Sequence, residues 1–269
     1  MFAAFREIDQ ILRGERTRPT ALDAAGVPLS LARVGFMLIL LGAIYGASVG
    51  LNGVFGRPVP EWRQVAASAV KVPALFLLTG AITFPSLYVF SALLDIRLSA
   101  ASMLKLLFAA GAVTLALLAS LGPIVAFFSV STSSYLFMVF LTVLCFALAG
   151  LMGTQFLWRT LQRLTAAAFG PPAAQSVADP ETGEAVSPAP PPPPLGPLEA
   201  LAQAIEVRRV RGVFFIWGLL FAVVGAQTGW LLRPFVGNPQ VPFAWLRPKD
   251  SNFFEAIWQV ITALLAGKG

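Results

Sequence analysis

Long apolar runs, separated by short stretches rich in arginine, proline and serine, divide this chain into a series of predicted membrane spans. A helix needs roughly 20 mainly apolar residues to cross a hydrocarbon core of about 30 Å. Five runs reach that length, and backbone groups inside lipid must satisfy one another, so the pattern predicts an all-α fold, a polytopic transmembrane helix bundle. The predicted spans cover residues 31–54, 72–94, 104–128, 135–157 and 212–232.

The segments between and around the spans divide the chain into five parts. These are a cytoplasmic amphipathic segment at 1–30, four spans within 31–165, a proline-rich cytoplasmic linker at 166–198, an amphipathic helix with the fifth span at 199–232, and an extracytoplasmic interfacial tail at 233–269. In the first part Phe2, Ile8 and Ile11 recur at helical spacing, which predicts a short helix on the membrane surface or docked to the bundle.

The linker contains five successive prolines at 190–194. Such a run favours extended polyproline II and cannot build an apolar core, so the linker is expected to be a spacer. The alternative is a docking ligand for a groove that recognises proline.

The distribution of basic residues predicts the orientation in the membrane. The chain is 57% hydrophobic and only 12% charged, with a net charge of +6. Twelve of its nineteen Lys and Arg residues fall on the side of the first residue, and cytoplasmic loops carry this excess. We therefore expect a cytoplasmic N-terminus and an extracytoplasmic C-terminus. The Ala-, Pro- and Arg-rich composition suggests a bacterial inner (plasma) membrane.

Two spans carry stripes of small residues that favour close helix packing. In the first span Gly42, Gly46 and Gly50 repeat every four residues, and in the fifth span Gly225 and Gly229 have the same spacing. Small residues at this spacing let the backbones of two helices approach each other. We expect the first span to pack against the fifth span or against a second copy of itself.

Polar or helix-distorting residues inside the spans are few. Pro85 predicts a kink in the second span, which shapes packing or marks a gate, and Gln155 and Gln227 are the best intramembrane polar candidates. In a channel or transporter these three residues would lie near the pathway.

The tail after the fifth span is rich in aromatic residues and Arg-Pro pairs. Tryptophan favours the headgroup region, and an arginine near a span end can bind lipid phosphate in a fork. The residues predicted to contact lipid or a partner at this interface are Arg57, Trp230, Arg233, Trp245, Arg247 and Trp258. Asn252 and Glu255 have capping-box spacing and predict a further amphipathic helix. The tail either anchors the bundle or presents a surface to a partner.

Composition and motifs argue against catalysis, metal binding, cofactor binding and nucleic-acid binding. The chain has no histidine, and its single cysteine, Cys145, lies in an apolar span. It contains no P-loop and no metal-ligand spacing. Its arginines flank apolar spans and do not form a basic face. We expect no enzyme, no metal and no cofactor.

The five spans, the glycine-rich "GAIYGASVG" and the proline-bearing "FPSLYVF" resemble the Yip1-like family of small integral membrane proteins. The resemblance covers roughly residues 30–235 and is one of architecture. It implies five closely spaced helices, a cytoplasmic N-terminal segment and a C-terminus across the membrane, and it carries over no functional residue.

The sequence therefore favours a non-enzymatic integral membrane protein. We expect a scaffold or accessory subunit that binds membrane lipids and other membrane proteins, or associates with itself. The alternative is a small oligomeric channel or transporter.

Overall fold

The computed structural model describes residues 2–13, 29–56, 59–93, 99–132, 134–169, 196–238, 240–247 and 252–265. Within these ranges the chain is helical and forms no strand, which confirms the predicted all-α bundle. The helices are α1 (Phe2–Leu12), α2 (Leu31–Gly50), α3 (Asn52–Phe55), α4 (Trp62–Leu93), α5 (Ala100–Ser131), α6 (Tyr135–Phe169), α7 (Pro197–Leu232) and α8 (Phe253–Leu265).

Five helices are long and apolar enough to cross a membrane, as predicted, and the chain is thus compatible with an integral membrane protein. The apolar spans are Leu31–Phe55, Trp62–Leu93, Ala100–Ser131, Tyr135–Thr160 and Gly212–Leu232.

The second span begins ten residues earlier than the sequence predicts, at Trp62 instead of residue 72. Pro73 was expected at the start of the helix but lies inside it. The first turns of α4 carry polar residues on the face that the fold buries, and these polar residues lower the local hydropathy that marks a span. Three of them, Gln64, Ser68 and Lys71, donate hydrogen bonds to the chain that follows α7.

Pro85 also lies inside α4. Nearby hydroxyl groups donate to carbonyl oxygens of the same helix, Thr83 to Thr79 at 2.7 Å and Ser86 to Thr83 at 2.7 Å. The Trp217 indole of α7 donates to the Thr83 carbonyl at 3.4 Å. These bonds add a donor to carbonyl groups of the turns beside Pro85, whereas the carbonyl that lacks its helical N–H partner because of Pro85 is that of Ala81.

The five long helices form a ring in the order α7–α4–α2–α5–α6, which closes where α6 meets α7. A Cβ atom added to Gly35 would lie 3.3 Å from the Phe108 ring, and one added to Gly122 would lie 3.0 Å from the Ser48 hydroxyl, so α2 and α5 run parallel. The close approach of Gly42 to Pro73 and of Gly50 to Val65 shows that α2 and α4 are antiparallel.

Helix α1 packs against α2 and α5 through its buried Ala4, Ile8 and Ile11. Glu7 of the same helix is buried although it is acidic. Its carboxylate accepts the Ser30 N–H at 2.9 Å and pairs with Arg33 at 3.0 Å. The N-terminal helix is therefore docked to the bundle.

The linker is shorter than predicted, because α6 continues to Phe169 and α7 begins at Pro197. Helix α7 joins the predicted amphipathic segment and the fifth span in one continuous helix. The proline run at 190–194, and with it both interpretations of the linker, lies outside the described residues.

Candidate functional site: the tail segment and the polar cluster

The glycine stripe of α2 packs against α4, not against the fifth span as expected. A Cβ atom on Gly46 would overlap the Ser68 carbonyl oxygen and lie 2.9 Å from the Ala69 Cα atom. One on Gly50 would lie 2.6 Å from the Val65 Cα atom. The prediction of close packing was right, but the partner was wrong, because a glycine stripe accepts any backbone and does not specify one.

The second glycine pair also faces α4, from the other side. A Cβ atom on Gly225 would lie 3.5 Å from the Thr79 methyl group, and one on Gly229 would lie 3.7 Å from Leu75. These are ordinary van der Waals distances. Helix α4 therefore lies between the two glycine stripes.

The chain folds back into the bundle after α7, through residues 233–238, which we call the tail segment. Pro234, Val236 and Gly237 are buried. The Phe235 ring lies 6.1 Å from the Phe146 ring of α6, centroid to centroid. The Arg233–Pro234 peptide bond is cis. The tail segment is therefore part of the bundle core at this end.

Four buried polar side chains of α3 and α4 hold the tail segment by its backbone. We call these side chains the polar cluster: Asn52, Gln64, Ser68 and Lys71. Each donates to a carbonyl oxygen of the tail segment. Because the tail segment is not helical, its carbonyl groups lack intrahelical partners, and burial makes such partners necessary.

The bonds of Gln64 and Ser68 converge on two adjacent carbonyl groups. Gln64 Nε2 donates to the Phe235 oxygen at 2.9 Å and to the Pro234 oxygen at 3.3 Å. Ser68 Oγ donates to the same Phe235 oxygen at 2.6 Å. Two side chains on one face of α4 thus satisfy the carbonyl groups of Pro234 and Phe235 at the start of the tail segment.

Asn52 extends this contact to α3. Its side-chain amide donates to the Gly237 carbonyl at 3.1 Å. A Cβ atom on Gly237 would lie 2.9 Å from the Gly53 Cα atom. The two backbones are therefore in contact, and any residue other than glycine at position 237 would push them apart.

Lys71 is the charged member of the cluster and is only 4% exposed. It lies nine residues, about 14 Å along the axis, from the start of α4. Its Nζ atom donates to the Pro234 carbonyl at 3.0 Å and lies 6.0 Å from the centroid of the Trp245 ring. An ionisable side chain buried in an apolar bundle is costly and is a functional candidate by default.

Two arginines of the tail lie near Lys71. Arg247 is close enough to Lys71 for their charges to interact, and both Arg233 and Arg247 interact with the Tyr135 hydroxyl at the start of α6. The Arg233 guanidinium stacks over the Trp230 ring at 3.6 Å. The Nε and Nη2 atoms of Arg247 are buried and have no hydrogen-bond partner.

Four of the six predicted interfacial residues thus lie close to one another. Trp230, Arg233, Trp245 and Arg247 come together around the tail segment, and Trp258 lies on the exposed face of α8. Helix α8 begins as predicted, with the Asn252 side chain accepting the Glu255 N–H at 2.9 Å. Arg57 lies outside the described residues.

The three residues of the possible polar track do not meet inside the chain. Pro85, Gln155 and Gln227 are each exposed, on α4, α6 and α7 respectively. The described hydrogen bonds between side chains and other groups include none of Gln227.

The polar cluster was missed at the level of sequence. Its signal was the spacing of Gln64, Ser68 and Lys71 at i, i+4 and i+7 in "WRQVAASAVK", which places all three on one helical face. The acceptors could not have been found, because they are backbone carbonyl groups about 165 residues away along the chain.

A small apolar cavity of about 30 Å³, which we call the groove, lies inside the ring between α4, α5, α6 and α7. Phe76, Leu107 and Trp217 are among its walls. Its hydroxyl groups are already used, since Thr114 donates to the Ala110 carbonyl and Thr154 to the Gly150 carbonyl, both at 2.9 Å. The groove therefore offers an apolar lining.

Among the described residues no group of acidic, cysteine or histidine side chains has the proximity that a metal ion needs. Comparisons of the chain with protein-family models, with curated proteins and with solved structures return no match, so the Yip1-like resemblance stays a prediction of architecture.

Proposed function

We propose that this chain is a non-enzymatic integral membrane protein, a scaffold or accessory subunit that binds membrane lipids and other membrane proteins. The observation that carries the proposal is the buried attachment of the tail segment to α4. Because Lys71, Gln64 and Ser68 hold its backbone, the tail segment determines where the chain leaves the bundle after α7.

The surface that follows the tail segment is apolar and accessible. Trp245 is 54% exposed, and Phe254 and Trp258 project from α8 while Ile257 faces inward. Aromatic side chains of this kind enter the headgroup region or the core of a protein interface. Helix α8 contacts both α6 and α7, so this surface is continuous with the bundle.

A second surface for partners lies on the outer faces of α6 and α7. Only 17% of the most apolar stretch of Gly212–Leu232 is buried, against 44% of that in Leu31–Phe55. Exposed apolar residues of these two helices include Leu148, Leu151, Met152, Phe215, Ile216 and Leu219. The glycines of α2 already pack against α4, which disfavours self-association through that stripe. Partners are therefore expected at α6 and α7.

The groove does not favour conduction. Its walls are apolar, and its threonine hydroxyls are bonded within their own helices, so an ion would find no free ligand there. We propose a bacterial inner membrane on the Ala-, Pro- and Arg-rich composition, and an extracytoplasmic C-terminus on the distribution of the basic residues.

Photocrosslinking tests the proposal. A photoreactive amino acid at Leu151 or Trp258, both exposed, should give adducts with other membrane proteins or with a second copy in native membranes. The same amino acid at Val34, which faces α1 and α5 inside the bundle, is the control. Adducts with lipid alone at both exposed positions, together with a strictly monomeric protein in mild detergent, would contradict a scaffold.

A further inference from the structure

Lys71 and Arg247, two cations beside the tail segment, form no ion pair within the part of the chain that the structure describes. Within the described ranges the ion pairs are Arg13 with Asp9 and Arg33 with Glu7, both near α1. Lys71 and Arg247 take part in neither. Charges removed from water are costly unless an opposite charge or several hydrogen bonds compensate them. Lys71 and Arg247 therefore form a pair of like charges in a desolvated place.

The hydrogen-bonding capacity of both side chains is incompletely used. An ammonium group carries three N–H donors, and one of those of Lys71 binds the Pro234 carbonyl. Arg247 has two nitrogen atoms, Nε and Nη2, that are buried without a partner. These two nitrogens lie on the same edge of the guanidinium plane, which is the edge that binds two oxygens of one anion.

The surroundings suit a tetrahedral oxyanion. The Tyr135 hydroxyl lies within the electrostatic range of Arg233 and Arg247, and Arg233 adds a further positive charge. Arg247 follows the exposed Trp245 by two residues, at an end of the bundle where helices α4 and α6 begin. Lys71 Nζ lies 6.0 Å from the centroid of the same Trp245 ring, so both cations lie close to this ring.

We propose that Lys71 and Arg247, with Arg233 and Tyr135 beside them, form a binding site for a phosphate group. A phospholipid headgroup or a free phosphate ion could supply it. The proposal rests on the proposed function, since it names the lipid chemistry that the tail recognises. The phosphate would supply the negative charge that the described residues lack and would join the tail to α4.

The test uses full-length protein in detergent and native mass spectrometry with three probes: phosphatidylglycerol, a galactosyl diacylglycerol without phosphate, and inorganic phosphate. Wild-type protein should retain phosphatidylglycerol and not the galactolipid. Arg247→Gln should weaken phosphatidylglycerol binding by about tenfold or more, the loss of one charge-assisted contact. Arg63→Gln, an exposed arginine near the start of α4, is the matched control and should bind as the wild type does.

Arg247→Lys is a second variant that keeps the test informative if the glutamine variant does not fold. It keeps the charge and loses the two-nitrogen edge, so it should fold and still bind more weakly. Displacement of phosphatidylglycerol by millimolar inorganic phosphate would assign the site to free phosphate, and its absence would assign the site to the headgroup. Equal binding of phosphatidylglycerol by wild type and both Arg247 variants, or equal binding of the galactolipid, would overturn the site.

The outcome is separable from the scaffold proposal. Loss of the phosphate site with protein adducts retained at Leu151 would leave the scaffold standing, since that residue lies on α6 away from the tail. Retained lipid binding without any protein adduct would leave the site standing and remove the scaffold.

Discussion

The two glycine stripes of this chain have the same spacing and face the same helix, but they pack against that helix at different distances. In α2, Gly46 and Gly50 bring the backbone of α4 so near that any Cβ atom would lie within 3 Å of a backbone atom. In α7, Gly225 and Gly229 leave 3.5 Å or more to the nearest side chain. The first stripe makes a backbone-to-backbone interface, and the second makes an ordinary side-chain contact.

The difference follows from what else crosses each interface. On the α2 side, α4 also binds the tail segment through Gln64, Ser68 and Lys71, so the position of its backbone is fixed from two directions. On the α7 side the two glycines meet only the side chains of Thr79 and Leu75. A small-residue motif therefore shows that two helices can approach closely, and the surrounding contacts decide whether they do.

The largest effect is expected from Gly46→Ala, which places a methyl group against the Ser68 carbonyl and the Ala69 backbone. Backbone atoms cannot move aside as a flexible side chain can, so α2 and α4 must separate. We expect the free energy of unfolding to fall by about 2 to 3 kcal/mol, measured by denaturant titration in detergent. An unchanged free energy would mean that the two helices are farther apart than described.

Lys71→Met should give the next largest effect, since it removes a charge-assisted bond to the buried Pro234 carbonyl. We expect a loss of about 1.5 kcal/mol in the free energy of unfolding. Arg63→Met, an exposed cation in the same helix, is the control and should be nearly neutral. A stabilised Lys71→Met protein would show that the cost of burying the cation exceeds the value of its contacts.

Ser68→Ala removes a weaker contact at the same place. The Phe235 carbonyl loses the Ser68 hydroxyl and keeps Gln64 at 2.9 Å. A loss of about 1 kcal/mol is expected from thermal or chemical unfolding. A loss as large as that of Gly46→Ala would indicate that the substitution disturbs helix packing as well.

Gly229→Ala should have the smallest effect and is the matched counterpart of Gly46→Ala. The new methyl group would lie 3.7 Å from Leu75, an ordinary contact. Alanine favours a helix over glycine by roughly 0.5–1 kcal/mol, so the variant should be as stable as the wild type or slightly more stable. Destabilisation equal to that of Gly46→Ala would erase the distinction between the two stripes.

The fold could be predicted from the sequence wherever apolar length decides the structure. The five spans are such a case, and so is the Asn252 cap of α8, because both depend on local sequence. The start of α4 was missed because its polar residues look like a loop when no partner is known. The neighbour of the α2 glycines was also missed, since packing partners are set by the whole bundle.

The candidate site was predictable only in part. Arg233, Arg247, Trp230 and Trp245 stood out by composition, and the structure brings them together. Lys71 lies one residue outside the predicted span at 72–94, although the fold buries it. The tail segment itself binds through backbone carbonyl groups, which have no signature in a sequence.

The central claim is that the chain folds back into the bundle after α7, and cysteine labelling tests it most directly. In a Cys145→Ala background, Val236→Cys should resist a water-soluble maleimide, because Val236 is 4% exposed. Val241→Cys, five residues later and 40% exposed, should be labelled readily. Equal and rapid labelling of both positions in the folded protein would contradict the account.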